Sequence, residues 1–97
     1  MKQEMSALDL ILSAINEIKK TGFTTDSVEP DFYLGGDLGI DSRERFEVWY
    51  ELEERLGIKV EESEKRDRYK LQDVVDVIEP VVRARQSVEY QSADNSR

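Results

Sequence analysis

Residues 37–42 read Asp37-Leu38-Gly39-Ile40-Asp41-Ser42, and the run from Ser42 to Leu56, SRERFEVWYELEERL, follows without a break. This stretch turns a loop into a helix and sets one serine at the junction. At about 100° per residue, Val48, Trp49, Leu52 and Leu56 share a helical face, and Phe46 and Tyr50 widen it on one flank. The arc is broader than one core contact needs. Either the helix is buried on two sides, or Phe46 and Tyr50 lie open to a partner. Asp41 or Ser42 can cap the helix, and Asp41 with Glu44 makes an Asp-x-x-Glu capping box. Gly57 ends it.

Upstream, Leu8, Ile11, Leu12, Ile15 and Ile18 predict an amphipathic helix from about Ser6 to Lys20. Ser6 with Asp9 resembles a capping box, Lys19 and Lys20 suit the negative end of the dipole, and Gly22 is the expected left-handed stop. Thr21 to Asp41 is then a long connection, of a length that is usually functional or locally structured. Phe23, Val28, Phe32, Tyr33 and Leu34 are the residues able to pin it. Gly35-Gly36 predicts a sharp change of direction before the motif.

Downstream, Ile58-Lys59-Val60 reads as a short extended connector. Glu61 to Lys70 is charged, with one short helical turn ending near Tyr69. Leu71, Val74, Val75, Ile78 and Val82 predict a last helix, which Pro80 should kink or end near Glu79. Residues 1–5 read as a flexible N-terminus, 6–85 as one domain, and 86–97 as a disordered tail.

The 97 residues allow one domain with a modest core. Acidic residues outnumber basic ones by 22 to 14, for a net charge of -8. That balance disfavours nucleic acid and anionic lipid and favours basic protein partners. There is no cysteine and no histidine. Disulfides, the common zinc sites and histidine-based nucleophilic catalysis by this chain alone are excluded. Without a signal-like or membrane-spanning apolar run, a cytoplasmic protein with no membrane insertion is expected.

Physically, Ser42 sits among the free N–H groups that open a helix, a favourable place for a phosphate. Asp37 and Asp41 oppose a phosphate unless a divalent cation or a basic enzyme surface is present. The plainer reading of such a serine is a helix cap. Asp37, Asp41 and Glu44 lack calcium-loop spacing and read as capping or solvated groups. Glu53-Glu54 and Glu61-Glu62 read as a solvated face.

The hexapeptide resembles the phosphopantetheine attachment motif of acyl carrier proteins, an Asp-Ser-Leu preceded by Leu-Gly. The resemblance stays in phase through Glu47, Leu52, Glu53-Glu54 and Leu56, through Gly57-Ile58-Lys59-Val60, and through Leu71 to Ile78. It covers roughly residues 6–84. It implies an all-α, small four-helix bundle with a long loop between helices 1 and 2 and a short third helix, and no catalysis of its own. Ser42, flanked by the motif residue Asp41, then receives 4'-phosphopantetheine from coenzyme A through a metal-dependent phosphopantetheinyl transferase. The arm's thiol holds acyl groups as thioesters for acyl-loading and acyl-processing enzymes, and the chain is expected to be a monomer. The second helix is the family's main recognition surface.

One departure is visible: Arg43 stands where the family has leucine after the serine. From Ser42 to Leu56, five acidic residues face three basic ones, a net of -2 that is weak for docking on basic patches. The implied protein is a stand-alone carrier dedicated to a specialised fatty-acid, lipid or polyketide-type pathway. Arg43, Phe46, Glu47, Tyr50, Glu53 and Glu54 are the candidate recognition residues. An aminoacyl or peptidyl carrier is a close variant, though Asp41 before the serine favours the acyl branch. The competing class is an unmodified helical adaptor that binds a protein through Phe46, Tyr50 and the acidic face.

Overall fold

The computed structural model describes the backbone of residues 6–95 and side chains as far as Arg85. Its elements are α1 (Ala7–Lys19), α2 (Ser42–Leu56), α3 (Glu62–Lys65) and α4 (Leu71–Asn95). They form the all-α four-helix architecture, with the long loop between α1 and α2 and a single short turn of helix as α3.

Both predicted capping boxes form. Ser6 Oγ accepts from Asp9 N while Asp9 Oδ2 accepts from Ser6 N. The α1 stop differs from expectation. Lys20, not Gly22, takes the left-handed conformation at φ 58°, and its N–H donates to the Asn16 carbonyl. Asn16 explains why. Its side chain accepts from Thr21 Oγ1 and Phe23 N and donates to Phe23 O, winding the chain around one amide before Gly22 is needed.

The buried stripe of α1 is Ala7, Ile11, Leu12, Ala14 and Ile15; Leu8 and Ile18 are only partly buried. It packs against α2 and α4. Val48, Trp49 and Leu52 of α2 and Leu71, Val74 and Ile78 of α4 complete the centre, with Trp49 the largest fully buried side chain.

The α1–α2 loop supplies a further layer of core. Val28, Leu34, Leu38 and Ile40 are buried, and Phe23 and Phe32 pack against them. Tyr33 stays exposed. The loop is fastened to the start of α4: Leu71 N donates to Phe32 O, Gln72 N to Pro30 O, and Leu34 N to Tyr69 O. A lone antiparallel bridge joins Tyr33 to Lys70.

The connector Ile58-Lys59-Val60 is extended, with Val60 buried and Ile58 partly so. The charged segment after it forms its helical turn only to Lys65, short of Tyr69: Arg66 is already extended at ψ 148°, and Asp67 beyond it is left-handed at φ 57°. Pro80 does not end the last helix; α4 runs through it to Asn95. The hydrogen bond that a proline forfeits is to residue i−4, here Asp76. Asp76 and Pro80 are both exposed, so water can serve the freed carbonyl. Residues 86–95 continue the helix instead of forming the expected irregular tail; no further proline or glycine follows Pro80 to break it. Residues 1–5, the expected flexible terminus, and 96–97 lie outside the described residues.

Candidate functional site

The site is the head of α2 and the loop that feeds it. Residues 38–41 alternate inward and outward before the helix begins at Ser42. Leu38 and Ile40 are buried, while Gly39, Asp41 and Ser42 face outward. Two apolar anchors thus hold the chain on either side of Gly39, which needs φ +71° to pass between them. The predicted turn lies just upstream. Asp37 N donates to Tyr33 O, Gly39 N to Gly35 O and Ile40 N to Leu34 O, while Asp37 Oδ2 accepts from Tyr33 N at 2.7 Å. The Gly35-Gly36 pair makes this turn without left-handed backbone.

A side chain with no local signal ties this loop to α1. Lys19 Nζ donates to Gly39 O at 2.7 Å and to the two Glu44 oxygens at 3.1 and 3.3 Å. The sequence offers Lys19 only as a charge for its own helix end. Its contacts lie twenty and twenty-five residues away, beyond any periodic pattern.

Asp41 is the cap. Its Oδ1 accepts from Glu44 N at 2.9 Å, and Glu44 Oε1 accepts from Asp41 N at 3.1 Å. The box is closed without Ser42, which is the first helical residue and is exposed. The plainer reading of Ser42 as the cap therefore fails: the oxygen that does that work belongs to its neighbour. Asp37, Asp41 and Glu44 are engaged in backbone contacts, and no group of three or more metal-ligating side chains gathers among the described residues.

Beyond Ser42, the outward face of α2 is Arg43, Phe46, Glu47, Tyr50 and Glu54. Phe46 is 58% exposed and Tyr50 62%, so the wide apolar arc is an open surface and not a second core contact. Glu54, one turn on, is the main reason the Tyr50 hydroxyl titrates above its ordinary 10.0; its negative charge disfavours phenolate.

Glu53 is the exception among the candidate recognition residues. It is 9% exposed and points into the bundle. Its Oε2 accepts from Val60 N at 2.7 Å and pairs with Lys65 Nζ at 3.2 Å. Burial alone raises its pKa, but the Val60 N–H and Lys65 more than offset that, and the group sits below its ordinary 4.5. Glu53 lies one residue out of phase with the solvated stripe, so it folds the connector and α3 against α2.

Two further charges of α2 are spent internally. Glu51 pairs with Arg55 at 2.9 Å, and Arg55 also donates to Ser13 Oγ at 2.7 Å. Arg45 is partly buried, its guanidinium over the Tyr69 ring at 5.3 Å.

No family model matches the chain. It is similar to an acyl carrier protein of Micrococcus luteus, 31% identical over 77 residues, which span 77% of this chain and 95% of that protein. It is also similar to an acyl carrier protein of Myxococcus xanthus, 32% identical over 76 residues, which span 76% of this chain and 96% of that protein. The chain belongs to the acyl carrier protein family. Its role is accordingly that of a carrier, not an enzyme. No helix among the described residues of this carrier is long and apolar enough to cross a membrane.

Proposed function

We propose that Ser42 bears a 4'-phosphopantetheine arm and that the chain carries acyl intermediates for a dedicated, specialised lipid or polyketide-type pathway. The observation that supports this best is the division of roles at the head of α2. Asp41 and Glu44 satisfy the cap between them, and the exposed Ser42 hydroxyl is left over. The residues present fit such an arm. The serine is reachable, first-turn amides lie beside a phosphodiester on it, and the Asp41 carboxylate is turned to Glu44 N.

In attachment, Ser42 Oγ gives up its proton to a base of the transferase and forms a bond to the β-phosphorus of coenzyme A. The pyrophosphate bond breaks and adenosine 3',5'-bisphosphate leaves, with the divalent metal supplied alongside the transferase. The arm then contributes the thiol on which acyl groups are held, a group this cysteine-free chain lacks. The chain's own part is to hold Ser42 fixed. Leu38 and Ile40 anchor the approach, and Lys19 clamps Gly39 and Glu44.

Partner recognition falls to Arg43, Phe46, Glu47, Tyr50 and Glu54 on one exposed stripe of α2. Arg43 places a positive charge beside the serine, and the acidic residues lie further along. A partner that fits offers an apolar recess for Phe46 and Tyr50 and an acid near its entrance for Arg43. The domain taken to do this is 6–85, a cytoplasmic monomer.

The test is incubation with coenzyme A, magnesium and a broad-specificity phosphopantetheinyl transferase, followed by intact mass. A gain of one phosphopantetheine supports the reading; no gain with several transferases leaves the unmodified adaptor. If Arg43 excludes general fatty-acid enzymes, Arg43→Leu raises the rate of loading by a generic acyl-loading enzyme, and an unchanged rate removes Arg43 from the account.

A further inference from the structure

One ammonium group joins the two segments that flank the attachment serine. Lys19 Nζ, reaching from the last turn of α1, donates to Gly39 O at 2.7 Å and to Glu44 Oε1 and Oε2 at 3.1 and 3.3 Å. Gly39 stands three residues before Ser42 and Glu44 two after it. An ammonium has three donors, and these acceptors match them in number. The two charged side chains are only 22% and 27% exposed, and the bonds between them are charge-assisted. The contact matters most at Gly39. It has no side chain to pack, its φ is +71°, and open space surrounds the place a Cβ would take. Its N–H is held by Gly35 O, but among the described residues no backbone N–H donates to its carbonyl. The buried Leu38 and Ile40 side chains fix how deep the chain lies on either side. They do not fix the direction of the glycine peptide between them, which is the most permissive in the chain; Lys19 does. The helix cap does not need Lys19, because Asp41 and Glu44 each accept from the other's backbone N–H.

We propose that Lys19 is a positioning residue for attachment of the arm: it holds the Gly39 peptide against the first turn of α2, so that the Ser42 hydroxyl meets the β-phosphorus of coenzyme A in line. The inference rests on Ser42 bearing the arm. Misplacing a reacting group by about 1 Å costs up to about a hundredfold in rate. Without Lys19, Ser42 stays exposed and the chain still docks on the transferase, but the hydroxyl is no longer fixed. The loss therefore falls on kcat of attachment and not on KM for coenzyme A.

The test measures attachment to Lys19→Met with coenzyme A, magnesium and a broad-specificity transferase, at a temperature where circular dichroism shows the variant folded. The expected result is a kcat at least about tenfold below that of the wild-type chain, with KM for coenzyme A within about twofold. The melting temperature falls by no more than about 8 °C, the most a partly exposed ion pair supplies in a chain of this size. Lys19→Arg, which keeps donors for both acceptors, recovers most of kcat. The double variant of Lys19→Met with Glu44→Gln stays as slow as Lys19→Met, because the Gly39 carbonyl is still free. Should Lys19→Met not fold, Lys19→Gln, too short to bridge both acceptors, takes its place. A kcat within about twofold of wild type in the folded variant overturns the proposal. So does a loss confined to KM for coenzyme A, or one that Glu44→Gln restores, since the ammonium would then act only by offsetting a carboxylate. A wild-type chain that gains no mass sinks the arm on Ser42 and this proposal with it; a loaded wild-type chain matched in rate by Lys19→Met sinks this proposal alone.

Discussion

Two segments flank α2, and they are held in opposite ways. The loop before it, Leu34 to Asp41, is pinned by Leu34, Leu38 and Ile40, all buried, and is tied to α1 by Lys19. The segment after the connector, Glu61 to Arg68, reads EESEKRDR and has no apolar side chain at all. Its helix, α3, buries nothing; it is attached through the Lys65–Glu53 pair, while Arg68–Glu64 is internal to the segment. Apolar pins do not titrate and are not screened, so that share of the serine end's anchorage is independent of pH and salt, unlike the Lys19–Glu44 pair and the Asp41–Glu44 cap beside it. An ionic strap depends on a carboxylate staying charged. The protein thus spends its limited core on positioning Ser42 and leaves the opposite side on polar contacts.

The largest effect that can break this contrast is at the pinned end. Leu38→Ala is expected to cost about 2–5 kcal/mol in urea unfolding, the range for a buried leucine. A loss well under 1 kcal/mol would mean that the loop is not anchored through its core residues.

An intermediate effect belongs to the strap. Glu53→Gln keeps an acceptor for Val60 N–H but removes the charge that faces Lys65, and is expected to cost about 1–2 kcal/mol at pH 7. The pH dependence has a definite sign. The folded-state pKa lies below 4.5, so the stabilisation is fully present above 4.5 and is lost as pH falls through the folded value. The wild-type chain therefore loses more stability than Glu53→Gln over that acidic window. Parallel losses in the two proteins would show that Glu53 is not charged and paired in the fold.

The smallest effect is on the open stripe. Phe46→Ala and Tyr50→Ala are expected to change stability by no more than about 0.5 kcal/mol, because both side chains are mostly exposed. They should instead weaken docking of partner enzymes, measured as a raised KM for this carrier as substrate. A loss of 2 kcal/mol or more in unfolding would return them to the core.

The same contrast explains what could be read from sequence. Helices α1 and α2 and the start of α4 were legible because their apolar residues repeat at helical spacing. The α2 bounds fell where Asp41 and Gly57 signal them. The long loop was half legible. Val28 and Leu34 are among the apolar residues able to pin it, but Leu38 and Ile40 show in sequence only as letters of the motif, although their burial is what sets the serine outward. Lys19 stands in the last turn of α1 as its charge predicts, but its partners, like those of Glu53, are not legible: a charged residue shows its class in sequence but not its partner. The partners of Lys19 come from the loop fold, and those of Glu53 from the connector and α3. Pro80 predicts a kink or an end, and which of the two follows depends on whether the i−4 carbonyl has water, which only burial decides.

The central claim is that Ser42 is spare in the fold and used by the carrier function, and Ser42→Ala tests both halves in one sample. Equilibrium unfolding of the variant, followed by intact mass after treatment with coenzyme A, magnesium and a transferase, is the measurement. The account predicts stability within about 0.5 kcal/mol of the wild-type chain and no added phosphopantetheine, where the wild-type chain gains one. A loss of about 1 kcal/mol or more, the usual cost of a missing cap, would contradict it. So would a mass gain that survives the substitution, because it would move the arm to another residue.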